Sequence, residues 1–321
     1  MEEKKYAIGI DLGGTKIALG IVDTNGRVLE MVRYETDAEG GPGAVIDQIA
    51  KGVKQLERER SSDISGIGIG VAGQIEPGTG AVRFAPNLDW HDVPLQDDLE
   101  KISGLRVVVT NDVRAALWGE WLFGAGKDSE DLVCIFVGTG IGGGIVSGGR
   151  LLEGCSNTAG EIGHMTIDLQ GPICTCGNRG CMEALAGGWA IAARTQAMVK
   201  SHPASGNTIL QMAGGKLEEI SARTLVQAHY AGDPLAKGIM DEVIDALSAG
   251  ISALVNAINP CRIILGGGII EGMPELLTRI QEGVKRRALS AATGDLTFLP
   301  SKLGNDAGII GAAALAMKTF Q

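Results

Sequence analysis

Three cysteines fall within eight residues, at Cys174, Cys176 and Cys181. His164 lies upstream, so the donors read His-x9-Cys-x-Cys-x4-Cys. Three thiolates and one imidazole suffice for a closed tetrahedral site of the structural zinc type. Such a site leaves no position for water, so the ion would hold the loop and not activate a nucleophile. Gly177 and Gly180 let so short a loop fold back on itself. The spacing contains no CxxC, which argues against a dithiol redox pair. Two carboxylates flank the cluster: Glu161 stands three residues before His164, and Glu183 two after Cys181. Folding the loop around a metal draws both towards one place, and His164 can ligate through one ring nitrogen while offering the other to a ligand. Taken singly, each glutamate also reads as a solvated surface charge. Cys134, Cys155 and Cys261 stand alone in apolar contexts and read as core residues.

Glycine marks two further stretches. Asp11-Leu12-Gly13-Gly14-Thr15-Lys16 sits between two apolar runs. Consecutive glycines let backbone N–H groups approach phosphate oxygens closely. Thr15 and Lys16 add a hydroxyl and a charge, and Asp11 at a strand end can hold Mg²⁺ through water. Gly138-Thr139-Gly140-Ile141-Gly142-Gly143-Gly144 repeats that layout later in the chain. Both also read as tight hairpin turns. Gly138-x-Gly140-x-x-Gly143 formally matches the dinucleotide fingerprint, but Ile145 and Val146 continue it as a strand where the fingerprint needs a helix. No GxxxxGK[ST] is present. A third run, Leu265-Gly266-Gly267-Gly268, faces an adenosine or simply turns a strand into a helix.

Asp112 follows the apolar run Val107–Val109 and opens a helical pattern. Ligands of open α/β sheets bind beyond the carboxyl ends of strands. A carboxylate there can accept the proton of an attacking hydroxyl in phosphoryl transfer. The competing reading is a helix cap by Asn111 or Asp112, worth about 1 kcal/mol.

The elements that must position these groups follow from periodicity. Strands are expected at Tyr6–Ile10, Ile17–Val22 and Arg27–Arg33, with the turn Asp23-Thr24-Asn25-Gly26 between the last two. A helix is expected over Ala44–Arg60, strands at Ile64–Val71 and Arg106–Val109, and a helix over Asp112–Phe123. Leu132–Val137 begins a second set. Residues 8–28 and 135–151 share one layout: strand, Gly/Thr turn, strand, glycine turn, Arg. That internal repeat predicts two similar α/β lobes with a ligand cleft between them. Helices are expected at Gly187–Lys200, Ala222–Tyr230 (N-capped by Ser221), Pro234–Ile258, Pro274–Arg287 and Ala307–Lys318, with a strand at Arg262–Leu265. The expected division is 1–120, completed by a C-terminal helix 306–321, and 121–305, which carries the zinc loop.

The bulk numbers agree with this plan. At 321 residues the chain has room for two lobes. Hydrophobic residues make up 45% but aromatics only 4%, so the core is aliphatic, and 49 glycines fit many tight turns. A net charge of −10 argues against a general nucleic-acid surface. The N-terminus has no apolar signal-peptide core, and every apolar segment breaks short of a membrane span, so a cytoplasmic protein is expected.

Together the motifs DLGGTK (11–16), GTGIGGG (138–144), EIGH (161–164) and CTCGNRGCME (174–183) resemble the ROK family of repressors, open reading frames and kinases. The resemblance runs from Ile8 to about Gly311. Ala85-Pro86-Asn87-Leu88 and the unbroken three-cysteine pattern are most similar to its bacterial glucokinase branch. The resemblance implies the actin-like ATPase (RNase H-like) fold, two lobes around a cleft. It implies transfer of the γ-phosphoryl of Mg·ATP to O6 of glucose, with Asp112 as base. The sugar would be held by Gly73, Asn87, Asn111, Asp112, Glu161, His164 and Glu183. The nucleotide would be held by Asp11, Gly13, Gly14, Thr15 and Lys16, by Gly138, Thr139 and Gly140, and by Gly267 and Gly268. ATP, Mg²⁺ and a structural Zn²⁺ on His164, Cys174, Cys176 and Cys181 are the implied cofactors. A homo-oligomer (dimer or tetramer) is implied, with no nucleic-acid or membrane partner. Carboxylates accept paired sugar hydroxyls, and a partner left unpaired penalises an analogue lacking one. Two alternatives stay open: a ROK kinase for N-acetylmannosamine, mannose or fructose, and a non-catalytic sugar-responsive regulator. Such regulators carry a helix-turn-helix domain ahead of the lobes, whereas here the first expected strand begins by Tyr6.

Overall fold

The structure is a computed structural model that describes residues 4–57 and 63–320. The chain divides into two compact units, Met1–Ser129 with Glu153–Ala159 and Lys302–Gln321, and Glu130–Leu152 with Gly160–Ser301.

The first unit opens with an antiparallel meander of β1 (Tyr6–Leu12), β2 (Lys16–Asp23) and β3 (Val28–Glu35). The β2–β3 turn is the one read from Asn25-Gly26. Asp23 Oδ1 accepts from the amides of Asn25 and Arg27, and Gly26 takes φ 76°. Helix α1 (Gly41–Glu57) follows, buried along Val45, Ile49, Val53 and Leu56. Residues 58–60 of the helix predicted over Ala44–Arg60 lie outside the described residues. Next come β4 (Ile64–Val71), a small sheet of β5 (Gln74–Ile75), β6 (Val82–Ala85) and β7 (Trp90–Val93), helix α2 (Leu95–Ser103), β8 (Val107–Asn111) and α3 (Asp112–Leu122). The small sheet is not foreseen from sequence, because its strands are too short for a period to register.

The second unit contains β9 (Leu132–Val137), β10 (Ile141–Ser147) and β11 (Arg150–Leu151). A short helix that the sequence reading omits, α4 (Met182–Ala186), comes next, and after Gly187 the helix predicted over Gly187–Lys200 is α5 (Gly188–Ser201). Then follow α6 (Pro203–Met212), which the sequence reading omits, α7 (Ala222–Tyr230), α8 (Pro234–Ile258), β12 (Arg262–Gly266), α9 (Gly268–Gly272), α10 (Glu275–Arg287), α11 (Ser290–Thr293) and β13 (Thr297–Pro300). Ser221 caps α7 in a capping box with Thr224. Helix α12 (Ala307–Phe320) closes the chain in the first unit.

The two main sheets share one topology. The first runs β3-β2-β1-β4-β8 and the second β11-β10-β9-β12-β13. In each, an antiparallel meander is extended by two parallel strands. The internal repeat in the sequence is thus a repeat of architecture. Strands β1, β4 and β9 are buried almost throughout, and so read as unbroken apolar runs. Helix α12 lies directly on its sheet, where a Cβ on Gly9 would stand 1.9 Å from the Ile309 carbonyl oxygen and one on Gly68 1.8 Å from that of Ala312.

Particular bonds set the limits of the first unit. Trp121 Nε1 donates to the Ser129 carbonyl at 2.9 Å, so the unit runs past residue 120, where the sequence boundary was expected. Segment 153–159 belongs to it because buried Arg114 donates to Asn157 Oδ1 and to the carbonyls of Asn157 (2.7 Å) and Ala159 (3.1 Å). The chain's return is fixed by buried Glu120, whose Oε1 accepts from the amides of Lys302 and Leu303 at 2.8 and 2.7 Å. Cys134 is buried, but Cys155 and Cys261 are exposed, contrary to the core reading. Cys155 sits in the exposed 153–159 segment and Cys261 between α8 and β12, so their apolar sequence neighbours misled.

Candidate active site

In the first unit, strand β1 ends at Leu12 and β2 begins at Lys16, so Gly13, Gly14 and Thr15 form the turn. The Gly13 amide donates to the Lys16 carbonyl at 3.0 Å, and Thr36 Oγ1 donates to the Gly13 carbonyl at 2.8 Å. Gly14 is compulsory for a different reason: a Cβ there would stand 2.4 Å from the carbonyl oxygen of Asn87. Asn87 is exposed and lies in the 3-10 turn Pro86–Leu88 after β6. The turn at 13–15 therefore lies directly against the main chain of Asn87.

Asn111 ends β8, and its Oδ1 accepts from the amides of Val113 (3.0 Å) and Arg114 (3.3 Å). The helix cap is thus Asn111, and Asp112 is the first helical residue. Asn111 Nδ2 donates to the Gly73 carbonyl at 3.3 Å, which joins two of the predicted sugar residues. Burial, reinforced by the nearby charge of Asp112, pushes the Asp11 carboxyl up from 3.8 to about 6. Two carboxylates, one at the end of β1 and one at the start of α3, thus sense each other.

In the second unit, the β9–β10 turn holds Gly138, Thr139 and Gly140. Its carbonyls are held by the start of α5: Gly188 N–H donates to Gly138 (3.0 Å) and Trp189 N–H to Thr139 (2.9 Å). The Ile141 amide donates to Glu183 Oε2 at 2.8 Å, and Trp189 Nε1 to Glu183 Oε1 at 3.2 Å. A cavity of about 960 Å³ opens beside this turn, lined by Gly138, Thr139, Trp189, Ser221, Arg223 and Glu271 among others. Gly268 lines it too; Gly140 and Gly267 are not among its lining residues. Gly267, at φ 89°, packs against the β9 backbone, 2.6 Å from the Val137 oxygen by its missing Cβ. Sequence reasoning missed Trp189, Arg223 and Glu271. Only the glycine pair before Trp189 and the Ser221 cap before Arg223 signalled an approach of backbone there.

The metal-type residues come together. The donor atoms of His164, Cys174, Cys176 and Cys181 all lie within 4.8 Å of one another. His164 Nδ1 is 3.7 Å from Cys174 Sγ, and Cys176 and Cys181 Sγ atoms are 3.7 Å apart. A disulfide needs about 2.05 Å, whereas ligands about 2.3 Å from a shared tetrahedral ion stand roughly 3.8 Å apart. These residues fit a structural Zn²⁺. Gly177 and Gly180 take φ of 90° and 71°, and a Cβ on Gly180 would meet the Asp168 carbonyl at 1.6 Å. Burial pushes the Cys181 thiol up to about 12, while a hydrogen bond from the Asn178 backbone pulls Cys176 down. A buried thiol so reluctant to ionise gives up its proton to a cation bound beside it. His164 turns Nδ1 to the thiols, which leaves Nε2 on the other side of the ring. Exposed Glu161 immediately precedes the 3-10 turn Ile162–His164, and Glu183 sits in the first turn of α4.

Two units of one topology, each with a glycine turn after its first strand, define the actin-like ATPase fold of sugar kinases. The chain belongs to the ROK family, whose model matches residues 7–319. It is 38% identical over 313 residues to a glucokinase of Thermotoga maritima, with 97% of each protein covered. A crystal structure of a ROK family glucokinase from Streptomyces griseus in complex with glucose and AMPPNP superposes with TM-score 0.83 at 35% identity, covering 98% of this chain and 99% of that one. A xylose repressor of Caldicellulosiruptor bescii is 32% identical over 314 residues, which cover 97% of this chain and 77% of that protein.

Proposed function

We propose that this chain transfers the γ-phosphoryl group of ATP to O6 of glucose, with Asp112 as the general base. The observation that carries the reading is the division of labour at the start of α3. Asn111 takes the cap, and Asp112 carries a charge that reaches Asp11 beside the first glycine turn. The kinase relatives support glucose and ATP as the substrates.

The chemistry asks little of covalent bonding and much of positioning. Asp112 accepts the O6 proton as the hydroxyl attacks. Gly73, Asn87, Asn111, Glu161, His164 Nε2 and Glu183 bind the hexose hydroxyls. The amides of Gly14 and Thr15, those of Thr139 and Gly140, and the Lys16 ammonium face phosphate oxygens, while the Gly13 and Gly138 amides close the turns themselves. Gly268 bounds the nucleoside end, and Gly267 turns the chain behind it against β9. Asp11 would hold Mg²⁺ through water, and the ion would offset phosphate charge. His164, Cys174, Cys176 and Cys181 would hold Zn²⁺ and so fix the loop that carries the sugar-facing groups.

A reducing cytoplasm fits this reading, since the three cysteine ligands need free thiols and none of the six cysteines is paired in a disulfide. Among the described residues no helix is long and apolar enough to cross a membrane. The reading includes a homo-oligomer and no nucleic-acid partner; light scattering on the purified protein tests the first. The deciding experiment is an ADP-release assay over a hexose panel, run on the native chain and on Asp112→Asn. Glucose should give the highest kcat/KM, and the variant should lose about a thousandfold or more in kcat while still binding glucose. Preference for N-acetylmannosamine, mannose or fructose overturns the substrate, and near-normal turnover of the variant overturns the base.

A further inference from the structure

Trp189 stands where four features of the second unit meet. Its indole N–H donates to Glu183 Oε1 at 3.2 Å. Its backbone N–H donates to the Thr139 carbonyl of the glycine turn at 2.9 Å. Its ring packs against Cys174, Cys181 and Ala184, two of them metal-type cysteines. It also lines the cavity beside Gly138 and Thr139.

Glu183 is held from both ends. Oε1 accepts from Trp189, and Oε2 accepts from the Ile141 amide at 2.8 Å, on the far side of the same turn. A carboxylate that accepts a donor at each oxygen is confined to one rotamer. The carboxylate assigned to the sugar, the turn assigned to phosphate and the cavity assigned to the nucleoside are therefore one bonded assembly.

We propose that Trp189 is a positioning residue that couples sugar binding to nucleotide binding by fixing the Glu183 carboxylate against the Gly138–Ile141 turn. Displacement of the turn by a phosphate moves Ile141 N–H and with it Glu183. Displacement of Glu183 by a sugar is felt by the turn in the same way, as reciprocity between two coupled sites requires. The indole is suited to the role because it brings a donor and no acceptor, on a ring large enough to reach the cysteine loop as well. Phenylalanine would keep the ring packing and lose the bond.

The inference rests on the glucose reading for its sugar arm, while its nucleotide arm stands apart from it. Calorimetry should measure glucose and AMPPNP, each with and without the other, on the native chain and on Trp189→Phe, with zinc content as the control for an intact loop. Trp189→Phe should keep its zinc, weaken glucose by roughly tenfold, as loss of a hydrogen bond to a charged group does, and lose most of the tightening that each ligand confers on the other. Unchanged glucose affinity together with unchanged coupling overturns the proposal. A native chain that binds AMPPNP but no glucose overturns the proposed substrate instead. Should Trp189→Phe come without zinc, Glu183→Gln decides the matter. It should weaken AMPPNP in the absence of any sugar; an effect confined to glucose would make Glu183 a sugar contact alone and overturn the coupling.

Discussion

The two glycine turns occupy the same place in two sheets of the same order, yet they are braced by different means. The turn of the first unit is tied to main chain and to a neutral side chain: Gly13 N–H to the Lys16 carbonyl, Thr36 N–H to the Thr15 carbonyl and Thr36 Oγ1 to the Gly13 carbonyl. The turn of the second unit is tied to a carboxylate, Glu183, and to the start of α5. In each turn one glycine touches a residue assigned to the sugar, at the same 2.4 Å by its missing Cβ. Gly14 meets the Asn87 carbonyl oxygen, and Gly140 meets Glu183 Oε2. One contact is backbone on backbone and cannot yield. The other ends on a side chain that follows a metal ligand by two residues. The same strand order thus carries one turn that is fixed by its own fold and one that depends on a neighbouring loop.

The largest break in this symmetry should come from Cys176→Ser. Removing one of the four ligands should empty the zinc site and loosen the frame that carries Glu161, His164 and Glu183. Glucose KM should rise by about tenfold or more, since losing a ligand costs at least as much as losing a residue that supports one. The first unit should be left intact, so far-UV circular dichroism changes little. Metal analysis beside steady-state kinetics checks this, and a zinc-free variant with native KM would separate the loop from the sugar.

Next in size is the pair Gly14→Ala and Gly140→Ala, which sets the two braces against each other directly. At 14 the new methyl meets backbone, so the 3-10 turn at Asn87 has to shift; overpacking of this kind costs about 1–3 kcal/mol of stability, and the displaced Asn87 should lower kcat/KM by roughly tenfold. At 140 the methyl meets a carboxylate oxygen that can rotate away at the expense of its bond from Ile141, so the loss should be severalfold and fall mostly on glucose KM. Equal losses in the two variants would show that Glu183 is as immobile as main chain.

Much of this was legible in the sequence. The repeat of strand, glycine turn and strand was visible because β1 and β9 are buried on both faces, and such strands are apolar without interruption. The cysteine loop was legible because its chemistry is local, with all four donors and both hinge glycines inside one short stretch. Asp112 was half legible: the sequence placed a carboxylate at the helix start, but only geometry assigned the cap to Asn111. Long-range placement was hidden. Nothing near Arg114 announces that it holds 153–159, and nothing near Glu120 announces the return of the chain at 302. Trp189 was hidden for the same reason, since a single tryptophan on an amphipathic helix reads as core.

The smallest predicted effect isolates a second asymmetry between the units. Asp11 is the penultimate residue of β1, where β9 has Phe136. Burial first, and the charge of Asp112 second, raise the Asp11 carboxyl from 3.8 to about 6. A folded-state value above the unfolded one means that the protonated carboxyl is favoured in the folded chain. Its contribution to stability is therefore fully present below about pH 3.8 and lost as pH rises through about 6. Above that range the buried charge is a cost, at most about 3 kcal/mol for a displacement of this size. Asp11→Asn removes the charge and keeps the shape. It should raise Tm by a few degrees at pH 8 in the absence of nucleotide and magnesium, and by about half as much at pH 5. The same variant should have weakened Mg·ATP, so stability and function move in opposite directions at one residue. The corresponding position in β9 has no charge to remove, and a Phe136 variant should show no such pH dependence. A Tm rise of equal size at both pH values would place the Asp11 carboxyl back in the ordinary range and remove the asymmetry.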